Sequence, residues 1–156
     1  ANARRVGVFV NEDKQTIEMF ADRFSLDFIQ LHGNESPEYC RSLQLSGLKL
    51  IKAFPIASRK DLQNVHNYSN FCKYFLFDTK CEQRGGSGNQ FDWSILHIYK
   101  GRTPFILSGG INPYSAKALK EFQHPLLVGY DLNSRFEVKP GKKDAQRIHL
   151  FLNELR

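Results

Sequence analysis

"YFLFDTK", residues 74–80, is an apolar run that stops on an acid. Successive side chains of a strand point to opposite faces, so Phe75 and Phe77 share one face while Leu76 and Asp78 share the other. One face is wholly apolar, and the other carries a carboxylate at its C-terminal end. The asymmetry recurs upstream. In "LDFIQLHG", residues 26–33, Ile29 and Leu31 oppose Phe28, Gln30 and His32. In "LKLIKAF", residues 48–54, Ile51 and Ala53 oppose Leu50, Lys52 and Phe54. A parallel sheet covered on both sides reads more often as continuous hydrophobics. A β/α barrel yields the asymmetry, because its outer strand faces meet helices while the top of its inner face opens to an active site. On this reading Phe75 and Phe77 lie under helices, and Gln30, His32 and Lys52 neighbour Asp78 on the inner face.

The rest of the chain supports an α/β class. Apolar runs at 6–10, 28–31, 48–54, 74–78, 104–108 and 126–131 alternate with amphipathic stretches, at the spacing of βα units rather than of a solenoid. "NEDKQTIEMFADRF", residues 11–24, places Ile17, Phe20, Ala21 and Phe24 at helical spacing. "SPEYCRSLQLSG", residues 36–47, opens with a Ser36 cap, Pro37 and Glu38 and ends at Gly47. "NPYSAKALKEFQ", residues 112–123, repeats the pattern with Asn112 and Pro113, and a last helix is expected over 143–155. No linker or low-complexity tract divides residues 1–156, so one domain is expected.

Composition narrows the function classes. The three cysteines, Cys40, Cys72 and Cys81, are an odd number without CxxC spacing, which suggests reduced thiols in a cytoplasmic protein. The five histidines show no metal-ligand spacing, so no metal site is expected. The net charge of +6 is spread along the chain without a block of basic residues. It fits an anionic small molecule, or solubility alone, better than a nucleic acid. No apolar run approaches the roughly 20 residues that span a bilayer, and the first residues lack the apolar core of a secretory signal.

Three places suit chemistry. Asp78, at a strand end, can give or take a proton if burial tunes it, or can simply cap a turn or pair with Lys52. Lys52 and His32 read as structural or substrate-positioning groups. In "SGGINP", residues 108–113, Gly109 and Gly110 follow a strand and precede a helix, a turn whose backbone N–H groups suit phosphate. In "GYDLNSRFE", residues 129–137, a strand ends at Asp131, and Leu132, Asn133 and Ser134 open a short helix. Barrels commonly hold phosphate between two such consecutive loops. The loop over 81–90, with Arg84 and several glycines, reads either as a surface loop or as a lid. Cys81 reads as an incidental thiol, with no base placed beside it.

Taken together the residues resemble one family, phosphoribosylanthranilate isomerase. The stretches "RVGVFVN", "LDFIQLHGNESPEYC", "LIKAF", "FLFDTK", "GGSGNQFDW", "PFILSGGINP" and "GYDLNSRFEVKPGKKD" occur in the family's order and cover essentially the whole chain. The resemblance implies a TIM (β/α)8 barrel and an Amadori rearrangement in tryptophan biosynthesis. N-(5-phosphoribosyl)anthranilate would become 1-(2-carboxyphenylamino)-1-deoxyribulose 5-phosphate without metal or organic cofactor. It implies Asp78 as general acid, Asp131 near the substrate, and Gly109, Gly110, Asn133 and Ser134 around the phosphate; Gln30 and His32, placed beside Asp78 by their strand face, are expected to bind the substrate with Asp131. The implied partner is the small-molecule substrate, with no nucleic acid or membrane, in a monomer or homodimer.

The chain also departs from the family. The family's general base is a cysteine in a "K-I-C-G" first strand, and an arginine in an "S-P-R-Y-V" loop contacts substrate; neither stretch occurs in these 156 residues. The match begins at the family's third strand, so about six of eight βα units are expected, strands three to eight. An open edge between the first and last strands follows, with lumen side chains exposed. The expectation is that about 50 to 60 further residues, two βα units, precede Ala1; the alternative is a genuine fragment. The competing functions are another phosphate-binding barrel enzyme, such as indole-glycerol-phosphate synthase, and a non-catalytic phosphosugar-binding module.

Overall fold

All six apolar runs form strands that pair in parallel, and their order in the sheet is their order in the chain. The computed structural model describes residues 3–79 and 92–156. The strands are β1 (Val6–Phe9), β2 (Phe28–Leu31), β3 (Leu50–Ile56), β4 (Tyr74–Thr79), β5 (Phe105–Ser108) and β6 (Leu127–Tyr130). The helices are α1 (Lys14–Arg23), α2 (Pro37–Leu45), α3 (Ala116–Glu121) and α4 (Ala145–Leu155). A small antiparallel hairpin, β7 (Glu137–Lys139) with β8 (Lys142–Lys143), precedes α4.

Caps set the helix starts. Asp13 accepts from the Thr16 backbone N–H at 2.9 Å, Ser36 from that of Tyr39 at 3.2 Å, and Asp144 from that of Arg147 at 3.0 Å. Each satisfies a donor that the first helical turn leaves free. The third helix departs from expectation. Asn112 takes the Tyr114 N–H on its Oδ1 at 2.8 Å and donates its own N–H to Ser115 Oγ at 3.0 Å. That side-chain-closed turn occupies 112–115, and the helix begins only at Ala116. Two connections differ as well. Between β3 and β4 the chain makes 3₁₀ turns at Arg59–Leu62 and Val65–Tyr68, and between β4 and β5 another at Trp93–Ile98. The first of these segments is rich in Asn, Asp and Ser, whose side chains compete for backbone groups; Asp61 Oδ2, for instance, accepts from Ala57 N and Ser58 N.

The sheet buries two layers. On the helix side, Ile29, Leu31, Leu50, Phe75, Phe77, Phe105 and Leu107 pack with Ile17, Ala21, Cys40, Leu43 and Leu119. Phe77 is the hub of an aromatic cluster, its ring 4.8 Å from Phe105 and 5.2 Å from Tyr99. Phe75 and Phe77 therefore lie under the covering segments, as their alternation predicts. On the inner side Ile51, Ala53 and Leu76 pack with Phe28, Tyr74 and Ile106.

Register corrects the faces of β3. Ala53 pairs with Leu76 and Lys52 with Phe75, and in-register parallel neighbours share a face. Lys52 thus lies on the helix side, and the wholly apolar face of β3 is the inner one. The polar group marked the inner face in β2 and β4 but not here, because Lys52 meets a buried partner, Glu35. Among the described residues β1 and β6 are the edges of the sheet. Val6 and Val8, in register with the inner-face residues Phe28 and Gln30, are 42% and 58% exposed.

Candidate active site

The polar groups collect where the strands end. Asp78 is the fifth residue of β4, with the aromatic hub behind it and Leu76 beneath it on the same face. It pairs in register with Pro55 of β3 and Ser108 of β5. His32, one residue past β2, brings Nε2 to 3.7 Å from Asp78 Oδ2, an ion-pair distance when the ring is protonated. Gln30 Nε2 lies 3.1 Å from His32 Nδ1. An amide nitrogen only donates, so Nδ1 accepts, and the neutral ring keeps its proton on Nε2, towards Asp78. Both Asp78 and His32 stay partly open to solvent, so a ligand can reach them.

β5 and β6 supply the other wall. Ser108 Oγ donates to Asp131 Oδ2 at 2.9 Å, and the Asp131 N–H donates to Leu107 O at 2.8 Å. Gly109 and Gly110 follow with φ of +88° and +67°. Gly109 is doubly constrained. A Cβ there would strike the Thr79 carbonyl oxygen and stand 2.8 Å from Asp78 Oδ1, so the glycine backbone comes right up against the end of β4. Thr79 locks this junction, its hydroxyl donating to Ser108 O at 2.9 Å and accepting from Trp93 Nε1 at 3.3 Å.

The predicted residues thus fall into three groups. Gln30, His32 and Asp78 meet directly. Asp131, through Ser108, and Gly109 stand beside them. Asn133 and Ser134 lie farther along: the Asn133 carboxamide accepts from Lys143 Nζ at 3.0 Å, and Ser134 starts a 3₁₀ turn, Ser134–Phe136, anchored by buried Phe136. Lys52 leaves the inner face altogether. Its Nζ lies 3.1 Å from Glu35 Oε2, with both side chains at most 3% exposed. Cys81, Arg84 and the rest of the expected lid fall outside the described residues.

Sequence reasoning missed Glu35, Thr79 and Trp93. Glu35 had a signal, since a lysine within a core strand demands a buried acceptor. Burial pushes the Glu35 carboxyl up, but backbone N–H donors at Asn11 and at Glu35 itself, with the Lys52 ammonium, outweigh it and hold the group below its ordinary value. It stays an anion at neutral pH. Thr79 and Trp93 left no signal, because their contact bridges a loop whose path periodicity does not encode.

The family model for N-(5'phosphoribosyl)anthranilate (PRA) isomerase matches residues 1–154. The N-(5'-phosphoribosyl)anthranilate isomerase of Parabacteroides distasonis is 52% identical over 152 residues, 97% of this chain and 69% of that protein. A crystal structure of phosphoribosyl anthranilate isomerase in complex with reduced 1-(o-carboxyphenylamino)-1-deoxyribulose 5-phosphate superposes with a TM-score of 0.81 at 34% identity, over 97% of this chain and 71% of that one. A structure of monomers generated from the dimeric enzyme of Thermotoga maritima gives 0.81 at 33% identity, over 99% of this chain and 73% of that one. The chain belongs to the N-(5'-phosphoribosyl)anthranilate isomerase family.

Proposed function

We propose that this chain works in the Amadori rearrangement of N-(5'-phosphoribosyl)anthranilate to 1-(2-carboxyphenylamino)-1-deoxyribulose 5-phosphate, in tryptophan biosynthesis, with Asp78 as general acid. The observation that carries the reading is the placing of Asp78 at a strand end between the imidazole of His32 and the positive-φ glycine turn. As acid, Asp78 protonates the ribose ring oxygen, the C1–O bond breaks, and the nitrogen lone pair closes a Schiff base. Loss of the C2 proton to a base then gives an enolamine, which tautomerises to the ketone. The resemblance assigns the base to a cysteine stretch outside these 156 residues, so the roles proposed here cover the acid half. Gln30, His32 and Asp131 orient the sugar and the anthranilate. Gly109 and Gly110 offer backbone N–H groups to the phosphate, with Asn133 and Ser134 closing its far side.

The six strands read as six of the eight βα units of a TIM barrel, strands three to eight. Their strictly sequential parallel order supports this, as does the share of the relatives' length that the chain spans. A cytoplasmic enzyme, monomeric or homodimeric and needing no cofactor, is the corresponding picture in the cell. No helix among the described residues is long and apolar enough to cross a membrane.

The test is the decay of anthranilate fluorescence on adding substrate. In a protein that joins this chain to the cysteine stretch, Asp78→Asn should lower turnover by about 10²–10⁴-fold, the usual worth of a general acid. Near-full activity of that variant sinks the assignment. Binding of the product analogue by that joined protein with no turnover at all would favour the phosphosugar-binding module instead.

A further inference from the structure

We infer that the buried Lys52–Glu35 pair is a positioning device for the active site, holding the main chain around His32 so that its ring faces Asp78. The inference rests on the reading of Asp78 and His32 given above. An ion pair with both side chains at most 3% exposed is poor evidence of stabilisation, because desolvation offsets the attraction and apolar replacements are often neutral. What distinguishes this pair is where its remaining hydrogen bonds go. Lys52 Nζ donates to Gly33 O at 2.8 Å and lies 3.3 Å from Leu31 O, the carbonyls on either side of His32. A further bond at 2.9 Å reaches Ala53 O on its own strand. Glu35 accepts the Gly33 N–H on both oxygens, at 3.2 and 2.9 Å.

With the His32 N–H donated to Phe9 O at 2.8 Å, Leu31 O, the His32 N–H, the Gly33 N–H and Gly33 O are all bound, three of the four by the ion pair. Glu35 Oε1 also takes the Asn11 N–H at 2.9 Å, tying the end of β1 to the same knot. Tyr68 OH holds the Glu35 carbonyl at 2.9 Å from the far side. Among the described residues the His32 side chain has one lateral support, Gln30 at Nδ1. Its distance to Asp78 is therefore set by the backbone, and the backbone is set by Lys52 and Glu35. Neither residue touches the inner face, so both act through His32.

The experiment uses the full chain carrying Glu35→Gln and Lys52→Met together, which removes both charges without leaving one unpaired. Three quantities are read: the crystallographic His32–Asp78 separation, the melting temperature, and the Kd values of reduced 1-(o-carboxyphenylamino)-1-deoxyribulose 5-phosphate and of inorganic phosphate between pH 6 and 8. The separation should grow from 3.7 Å by about 1 Å, or the ring should take two positions. Analogue affinity should fall about tenfold with an altered pH dependence, since a misplacement of that size is costly at a reacting centre. Phosphate affinity, set at the glycine turn, should stay within about twofold. A folded double variant with the parent separation and analogue affinity overturns the inference. Should the double variant not fold, Glu35→Asp, too short to reach both Asn11 and Gly33, carries the same readings with the same expected directions. If the parent itself fails to bind the analogue, the functional reading falls, while the His32–Asp78 separation still decides the role of the pair.

Discussion

Replacing Gly109 by alanine tests how tightly the glycine turn is built against Asp78. The new methyl meets two separate penalties. The first is conformational: φ of +88° lies in the left-handed half of the map, which costs an L residue about 1–2 kcal/mol. The second is steric: the methyl would strike the Thr79 carbonyl and stand 2.7 Å from Thr79 N and 2.8 Å from Asp78 Oδ1. Two of these three atoms are backbone in a central strand and cannot swing aside, so relief requires a shift of β4 or of the turn, about 1–3 kcal/mol. Gly110→Ala is the internal control. Its φ is +67°, but nothing lies within 4 Å of its Cβ, so it bears the conformational penalty alone, about 1–2 kcal/mol. Urea denaturation of both variants should separate them by about 1–3 kcal/mol, with Gly109→Ala the weaker. The same methyl presses on Asp78, so Gly109→Ala should also lose affinity for the reduced product analogue more than Gly110→Ala does. Equal destabilisation of the two variants would refute the close packing of turn and strand.

Two further outcomes follow from the core and from Glu35. Phe77→Ala empties the centre of the aromatic cluster with Phe105 and Tyr99 and should cost about 3–5 kcal/mol in chemical denaturation; Tyr114→Ala, at a side chain 93% exposed, should stay within about 0.5 kcal/mol, and a comparable loss in the two would contradict the described packing. The Glu35 carboxyl is held below its ordinary 4.5 by the Asn11 N–H and Lys52 acting against burial, so its contribution to stability is complete above 4.5 and is lost as pH falls through the lower folded value. Stability-against-pH curves should therefore drop more steeply below 4.5 for the parent than for Glu35→Gln, and parallel curves in that range would show that Glu35 carries no such linkage.

The strands and the place of Asp78 at a strand end were legible because they rest on local chemistry. Six apolar runs bounded by caps and glycines identify the sheet, and an aspartate ending one run identifies Asp78. The start of α3 was not legible, because Asn112 and Pro113 form a valid helix start on their own. The bonds from Asn112 N to Ser115 Oγ, from Tyr114 N to Asn112 Oδ1 and from Ser115 N to Asn112 O together turn them into a separate turn. The hairpin of β7 and β8 was likewise invisible, since it buries no alternating face and depends on the antiparallel pairing of Glu137 with Lys143.

Lys52 shows the limit of reading faces from alternation. Period two says which side chains share a side; it does not say which side is inner. In β2 and β4 polarity resolves the ambiguity, because Gln30 and Asp78 sit near solvent at the strand ends. In β3 the same inference fails, because Lys52 stands at the third of seven positions, too deep to reach solvent. A charge at that depth persists only with a partner on its own side, and Glu35, leaving β2 over the helix face, is that partner. The better rule weighs how far along a strand a polar residue lies: a terminal one marks the mouth, and an interior one marks a buried counter-charge. Applied to β3 in advance, this rule puts Ile51 and Ala53 inside and sends the search for a carboxylate to "HGNES", where Glu35 lies within reach of the main chain of His32.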